Sequence, residues 1–441
     1  MVRTLLCLLV LACTAHAQGL LQSGPMVGYS DMRETKLWVQ TTTSASVHFV
    51  YWDSAAPAKR YSTTDTRTIR QEACTAHCTA DSVLPGKTYM YELYINDKRI
   101  ERPYPLKFKT PPLWQWRTDP PTMRIALGSC AYVNEERFDR AGKAYGGDEQ
   151  IFTHIAKQQP DIMLWLGDNV YMREPDWNTR TGIYHRYTHT RSLPQMQPLL
   201  AACANYAIWD DHDYGPNDCD RGFWNKEETY NAFKMFWANP RYGMADANGG
   251  ITSMFQWGDV DVFLVDDRWF RSPDKRKTGE RTILGKQQFE WLIDNLASST
   301  ATFKLVCIGG QVLNSVAQFE NYATYPEERK ALIETIQKER ISGVMFLSGD
   351  RHHTELSVLR DSTTVPLYDF TVSPLTAGTN PNAATEANTY RVDGTFVGEH
   401  NFATIDVTGI RGARELTLTV FDANGKQKWQ KKITAAEMKK Q

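Results

Sequence analysis

Asp161-Ile162-Met163-Leu164-Trp165-Leu166-Gly167-Asp168-Asn169-Val170-Tyr171 is an unbroken apolar run that stops abruptly at Gly-Asp-Asn. Five successive apolar side chains leave no face for water, so the run reads as a strand buried on both sides, in a sheet covered by helices. The polar loop that follows lies at the strand's carboxyl end, which is where α/β sheets gather their ligands. Three further strands end in the same way. The apolar stretch 123–128 leads into Gly128-Ser129-Cys130, Ala207-Ile208-Trp209 leads into Asp210-Asp211-His212-Asp213, and 344–347 leads into Ser348-Gly349-Asp350-Arg351-His352-His353. One Gly-Asp after a strand is an ordinary turn. Four such clusters bring thiolate, carboxylate, phenolate, amide and imidazole to one rim, and those are the donors of a metal site.

The loop after Trp209 sharpens the point, because Asp210, Asp211, Asp213 and Asp218 crowd together with His212. Neighbouring like charges repel, and buried carboxylates without partners are costly, so the cluster is either a solvated loop or is held by cations. The four strand-end clusters favour cations around Asp211 and His212, whereas Asp210, Asp213 and Asp218 read as acids in water or behind the ligands.

Around these strands the pattern alternates. Helices are expected over 149–157, 285–297 and 327–339, strands over 260–265 and 304–308, and a closing pair of antiparallel strands over 402–407 and 415–421. The fold class over 124–435 is therefore α/β. Residues 24–110 follow a different rhythm, with short alternating strands at 36–41, 46–52 and 84–94 separated by turn signals. That spacing predicts a small all-β sandwich, and the turn Leu84-Pro85-Gly86-Lys87-Thr88-Tyr89 is similar to those of fibronectin type III and immunoglobulin-like domains. The proline-rich stretch 111–123 reads as a linker.

With 441 residues, 41% of them hydrophobic, the chain can build more than one core. Fifty Lys and Arg against 51 Asp and Glu leave a net charge of -1, so no global field points to nucleic acid and the important electrostatics are local. Residues 1–17 read as an export signal: Arg3, then an apolar run too short to span a bilayer, then Ala15-His16-Ala17. Leu11 fits a lipid-attachment pattern poorly, so Cys13 is not read as an anchor. The expectation is a secreted or periplasmic protein with no transmembrane segment. The mature cysteines Cys74, Cys78, Cys130, Cys203, Cys219 and Cys307 are free to pair or not, and Cys74-Thr75-Ala76-His77-Cys78 lacks the second ligand pair of a zinc site. Neither a Gly-x-Ser-x-Gly elbow nor a glycine-rich phosphate loop is present.

The order Gly-Ser-Cys, Gly-Asp-Asn-Val-Tyr, Trp-Asp-Asp-His-Asp, Val-Asp-Asp-Arg at 265–268, Gly-Gln-Val at 310–312 and Gly-Asp-Arg-His resembles the PhoD-type alkaline phosphatase/phosphodiesterase family, a branch of the calcineurin-like metallophosphoesterases. The resemblance implies a β-sandwich flanked by helices around a two-metal centre of Fe(3+) with Ca(2+). It implies Cys130 and Tyr171 as iron ligands, Asp168 as the bridging carboxylate, Asp211 on the second metal, and Asp350 and His352 in place of the relatives' paired histidines. It also implies His212 facing the substrate; guanidinium chemistry makes Arg268 and Arg351 candidate phosphate clamps, the alternatives being ordinary surface arginines or, for Arg268, a pair with Asp266. The implied activity is hydrolysis of small-molecule phosphomonoesters or phosphodiesters through a two-metal-activated hydroxide, by a monomer without specific nucleic-acid binding. The competing reading is a non-catalytic cell-surface or glycan-binding protein with a structural metal site.

Overall fold

The computed structural model describes residues 19–361 and 363–439. The expected export signal at 1–17 and Cys13 lie outside the described residues.

Nine strands come first: β1 (Leu21–Ser30), β2 (Thr35–Thr41), β3 (Ser46–Asp53), β4 (Tyr61–Ser62), β5 (Thr66–Arg67), β6 (Thr75–Ala80), β7 (Thr88–Ile95), β8 (Lys98–Ile100) and β9 (Lys107–Lys109). One sheet has the order β1-β2-β6; the other runs β4-β3-β7-β8, with β5 and β9 pairing to β3 and β7. Strict alternation of buried and half-buried side chains along β3 and β7 turns one face inward. Val27, Leu37 and Val39 of the first sheet meet Val47, Phe49 and Leu93 of the second in one core. The cysteines of this region, Cys74 and Cys78, are unpaired, like the other described cysteines. His77 between them bonds the Trp237 carbonyl at 3.1 Å rather than another ligand.

The sandwich is not a loosely tethered module. Trp38 lies in the core of the following region and donates its indole N–H to the Met235 carbonyl at 2.7 Å. A methyl group on Gly28 would meet Ala238 Cβ at 2.3 Å, so β1 lies directly against its neighbour.

Twelve strands form the second region: β10 (Met123–Gly128), β11 (Ile162–Leu166), β12 (Ala204–Ile208), β13 (Ser253–Trp257), β14 (Val260–Leu264), β15 (Phe303–Cys307), β16 (Val344–Ser348), β17 (Glu355–Leu359), β18 (Leu367–Thr371), β19 (Asn401–Thr408), β20 (Glu415–Asp422) and β21 (Gln427–Thr434). They make two six-stranded mixed sheets, β12-β11-β10-β19-β20-β21 and β13-β14-β15-β16-β18-β17. Ile125, Leu164 and Leu418 of one share a core with Val260, Leu305 and Met345 of the other. The parallel strands β10, β11 and β12 point one way in the first sheet, as do β14, β15, β16 and β18 in the second.

Parallel neighbours need long crossovers, and these supply the helices. Ile151–Lys157 and Arg180–Arg191 lie between strands of the first sheet, Gly285–Ser298 and Pro326–Lys338 between strands of the second. Pro326 opens its helix at the position where proline's missing N–H costs nothing. Glu328 in that helix accepts the backbone N–H groups of Ile283, Leu284 and Gly285, capping the helix beside it. The helices Arg180–Arg191 and Lys226–Phe236 and the edge strand β21 lie outside the elements expected from the sequence; the first carries only weak amphipathic periodicity, and β21 is largely exposed. No helix among the described residues is long and apolar enough to cross a membrane.

Candidate metal centre

The carboxyl ends of the parallel strands from both sheets converge on one rim, and backbone bonds lock the loops there. Cys130 N donates to Gly167 O at 3.2 Å, Ala131 N to Asp168 O at 2.8 Å, and Gly349 N to Gly309 O at 2.7 Å. Two glycines let the loops approach. A Cβ on Gly309 would sit 2.4 Å from Asp267 Oδ2, and one on Gly349 would sit 2.5 Å from Ser129 Cβ. Four of the sequence-derived ligand candidates occupy left-handed backbone: Cys130 at φ 60°, Asp168 at 52°, Asp350 at 61° and His352 at 55°. Non-glycine residues held there cost roughly 1–3 kcal/mol each, and such strain collects at functional sites.

The side chains form two adjoining groups. In the first, ligand atoms of Cys130, Asp168 and His352 lie within 4.8 Å of one another. Tyr171 joins them, its hydroxyl 3.0 Å from Asp168 Oδ2 and 3.2 Å from His352 Nε2. The second contains Asp210, Asp211 and Asp350 within the same spread, and Asp168 stands between the groups because it also clusters with Asp211 and His212. The His212 ring lies against the Tyr171 ring at 4.2 Å. Thus all six sequence-derived metal candidates and His212 meet in one place.

Electrostatics explain why this gathering calls for cations. Burial pushes the Asp168 carboxyl well above the usual carboxylate range, and Asp211 and Cys130 add to the effect. Burial, with Glu320 and Asp211 nearby, raises Asp350 to about 7. Cys130 rises to about 11 through burial, even though Ser129 and Ser373 hydrogen-bond its sulfur. Asp211 alone is held down at about 2: burial opposes its charge, but His212 and Arg268 outweigh burial. Without metal the cluster therefore keeps its charges apart by holding protons. A thiol, a phenol, an imidazole and a shared carboxylate beside a carboxylate-rich group fit one softer and one harder cation, and the orphaned Asp210 Oδ2 marks unmet demand.

The arginines stand elsewhere. Arg268 is fully buried; its Nε donates to Asp210 Oδ1 at 2.6 Å, and Nη1 and Nη2 grip Glu320 at 2.7 and 2.8 Å. Asp266 takes only its backbone N–H. Arg351 donates to Gln311 Oε1 at 2.7 Å and pairs with Glu386. Both guanidinium groups are thus engaged with protein acceptors. Asp210 and Asp213 are not in water but wholly buried, Asp213 within a short helix, Asp211–Tyr214, and Asp210 as its N-cap, where a loop was expected. The Asp213 carboxylate accepts from Asn169 N at 3.1 Å and Asp210 N at 3.2 Å, tying the loop of Asp168 to that of Asp211. The sequence reading missed Glu320 and Ser373, whose hydroxyl is 3.2 Å from Cys130 Sγ. Glu320 lies in no strand-end motif, and Ser373, two residues beyond β18, sits in a Val-Ser-Pro stretch without the thiol, acidic or imidazole residues that mark the other strand ends.

Two packed mixed sheets with a polyvalent donor cluster at their carboxyl rim define a metallophosphoesterase-like fold. A purple acid phosphatase, PPD1, from yellow lupin seeds shares it, with a TM-score of 0.68 at 12% identity over 93% of this chain and 74% of that one. A solved structure of PhoD superposes with a TM-score of 0.76 at 18% identity, covering 94% of this chain and 92% of the other. Residues 126–424 match the PhoD-like phosphatase family, and the chain belongs to it. Residues 18–113 match a domain of unknown function (DUF7800). Alkaline phosphatase D of Bacillus subtilis (strain 168) is 23% identical over 371 residues, 70% of this chain; the chain spans 59% of that relative's length.

Proposed function

We propose that the protein is an exported, metal-dependent phosphoesterase acting on small-molecule phosphomonoesters or phosphodiesters. The observation that carries this reading is the meeting of Cys130, Asp168, Tyr171 and His352 with Asp211, His212 and Asp350 on one rim. The first four would hold iron, and Asp168, Asp211 and Asp350 a harder ion such as calcium. Bound there, the cations supply Lewis acidity toward water and phosphoryl oxygen. In the reaction the bond from phosphorus to the leaving alcohol breaks and one to a water oxygen forms. His212 gives its proton to the leaving oxygen and is recharged by the proton the water loses. Burial and His352 push His212 below its ordinary value while Asp211 raises it, and an anionic phosphoester alongside raises it further. Asp213 keeps the two ligand loops in register, and Arg268 neutralises the acids behind them. Residues 24–110 are a fibronectin III-like domain in this reading, 111–123 a linker, 124–435 the catalytic domain, and the protein works as a monomer after loss of residues 1–17.

The purified protein is expected to contain iron and to turn over aryl phosphate esters, with activity lost on chelation and regained on metal return. Folded protein that binds metal but turns over neither esters nor diesters would support the structural-site alternative. His212→Ala should retain metal yet slow substrates with basic leaving groups by roughly 10²–10⁴-fold and those with acidic leaving groups far less, because proton donation matters most for poor leaving groups. Equal losses for both classes would remove His212 from the acid role.

A further inference from the structure

We infer that the cavity beside His212 receives the leaving group and selects leaving groups that join a planar ring to an anionic substituent. The inference rests on the phosphoesterase reading and deepens it. The cavity measures about 440 Å³, and Tyr171 and His212 form part of its wall. That volume suits a drug-sized ligand. An alcohol that takes a proton from His212 has to leave through the space His212 borders.

Two features of the wall specify what fits. Tyr132, Tyr145 and Trp177 line it, and Tyr132 and Tyr145 stand edge to face at 4.9 Å. Tyr145 is exposed although it sits beside the site, with its hydroxyl 3.5 Å from His352 Nδ1. The ring surfaces that these aromatic residues turn to the cavity recognise flat rings through their faces and edges. The charges divide in a similar way. Asp139 and Arg173 face each other at 2.7 Å, and Asp139 also accepts the Tyr132 hydroxyl, so that pair is closed. Arg140 and Lys143, on the same exposed loop, make no hydrogen bond or ion pair among the described residues. Glu174 is the one opposing acid in the lining without a partner. The excess in this lining is cationic, whereas Asp210, Asp211 and Asp350 form no part of it.

The test compares para-nitrophenol with the same phenol carrying a carboxylate meta to the hydroxyl, as free ligands by calorimetry and as leaving groups of their methyl phosphodiesters. Two exposed cations should favour the carboxylated phenol by roughly tenfold in affinity at low salt, with the same ratio in KM. Arg140→Gln with Lys143→Gln should bring both ratios near one and leave kcat/KM on the diester without the carboxylate unchanged. Lys143→Glu should reverse the preference, which a structural effect on the loop would not do. Equal binding of the two phenols by the unmodified protein, or a preference that survives the double substitution, overturns the inference while turnover of both diesters would leave the phosphoesterase reading standing. Selective binding without turnover of either diester or of the corresponding aryl phosphate monoesters refutes that reading and the leaving-group role with it.

Discussion

Arg268→Met lowers the melting temperature by roughly 10 °C, the shift expected when removing one partner of a buried charge network costs about 3–5 kcal/mol in a domain of this size. The reasoning starts from geometry. The Arg268 side chain is sealed from water and is the cation that Asp210 and Glu320 share, with Asp267 3.9 Å away. Methionine fills most of the volume but leaves those carboxylates without compensation, and their desolvation is the cost. Arg271 reaches Glu320 at 3.2 Å but not Asp210, so it softens the loss only in part. The alternative role, a clamp on substrate phosphate, predicts another result: an unchanged melting temperature with a raised KM. Thermal unfolding together with kinetics of the same variant separates the two. A folded, equally stable variant with a tenfold higher KM would return Arg268 to the substrate.

Asp168→Asn abolishes metal binding and lowers turnover by at least about 10³-fold, yet leaves the metal-free fold as stable as before or more so. Asp168 stands between the two candidate groups, in the first with Cys130 and His352 and also clustered with Asp211 of the second, so losing its charge weakens both sites at once. The stability half follows from its raised pKa. A carboxyl that titrates higher in the folded than in the unfolded protein binds more protons when folded, so stability falls as pH rises from the unfolded value of about 4 through the folded one. Asp213 and Asp350, both raised to about 7, act in the same direction. Metal-free wild type should therefore be more stable near pH 5 than near pH 8, and Asp168→Asn should flatten that slope. Denaturation at both pH values, with metal content by elemental analysis, checks each part. A variant that keeps both metals, or metal-free wild type that gains stability with rising pH, contradicts the assignment.

Much of the architecture was legible because its signals are local. The expected strand at 123–128 coincides with β10, and those at 260–265, 304–308 and 344–347 match β14, β15 and β16 to within a residue. Buried parallel strands carry unbroken apolar runs, and their helices carry a clear repeat. The helix Arg180–Arg191 escaped because it packs partly through Arg186, Thr190 and Arg191, whose burial depends on partners rather than on hydropathy. Arg186, for example, is buried against Asp176.

The sequence by itself determined where the candidate donors lie: Cys130, Asp168, Tyr171, Asp211, Asp350 and His352 each follow a strand, and a strand's end is a local property. What only the tertiary structure decided was the use of charge. Asp210 and Asp211 are adjacent in the chain and lie in the same cluster, yet the first is bonded to Arg268, 58 positions away, whereas the second accepts the backbone N–H of Asp218. The physical reason is that an ionisable group's role follows from the desolvation and the neighbours it meets in space, and those are set by packing two sheets whose rims come from residues far apart in sequence.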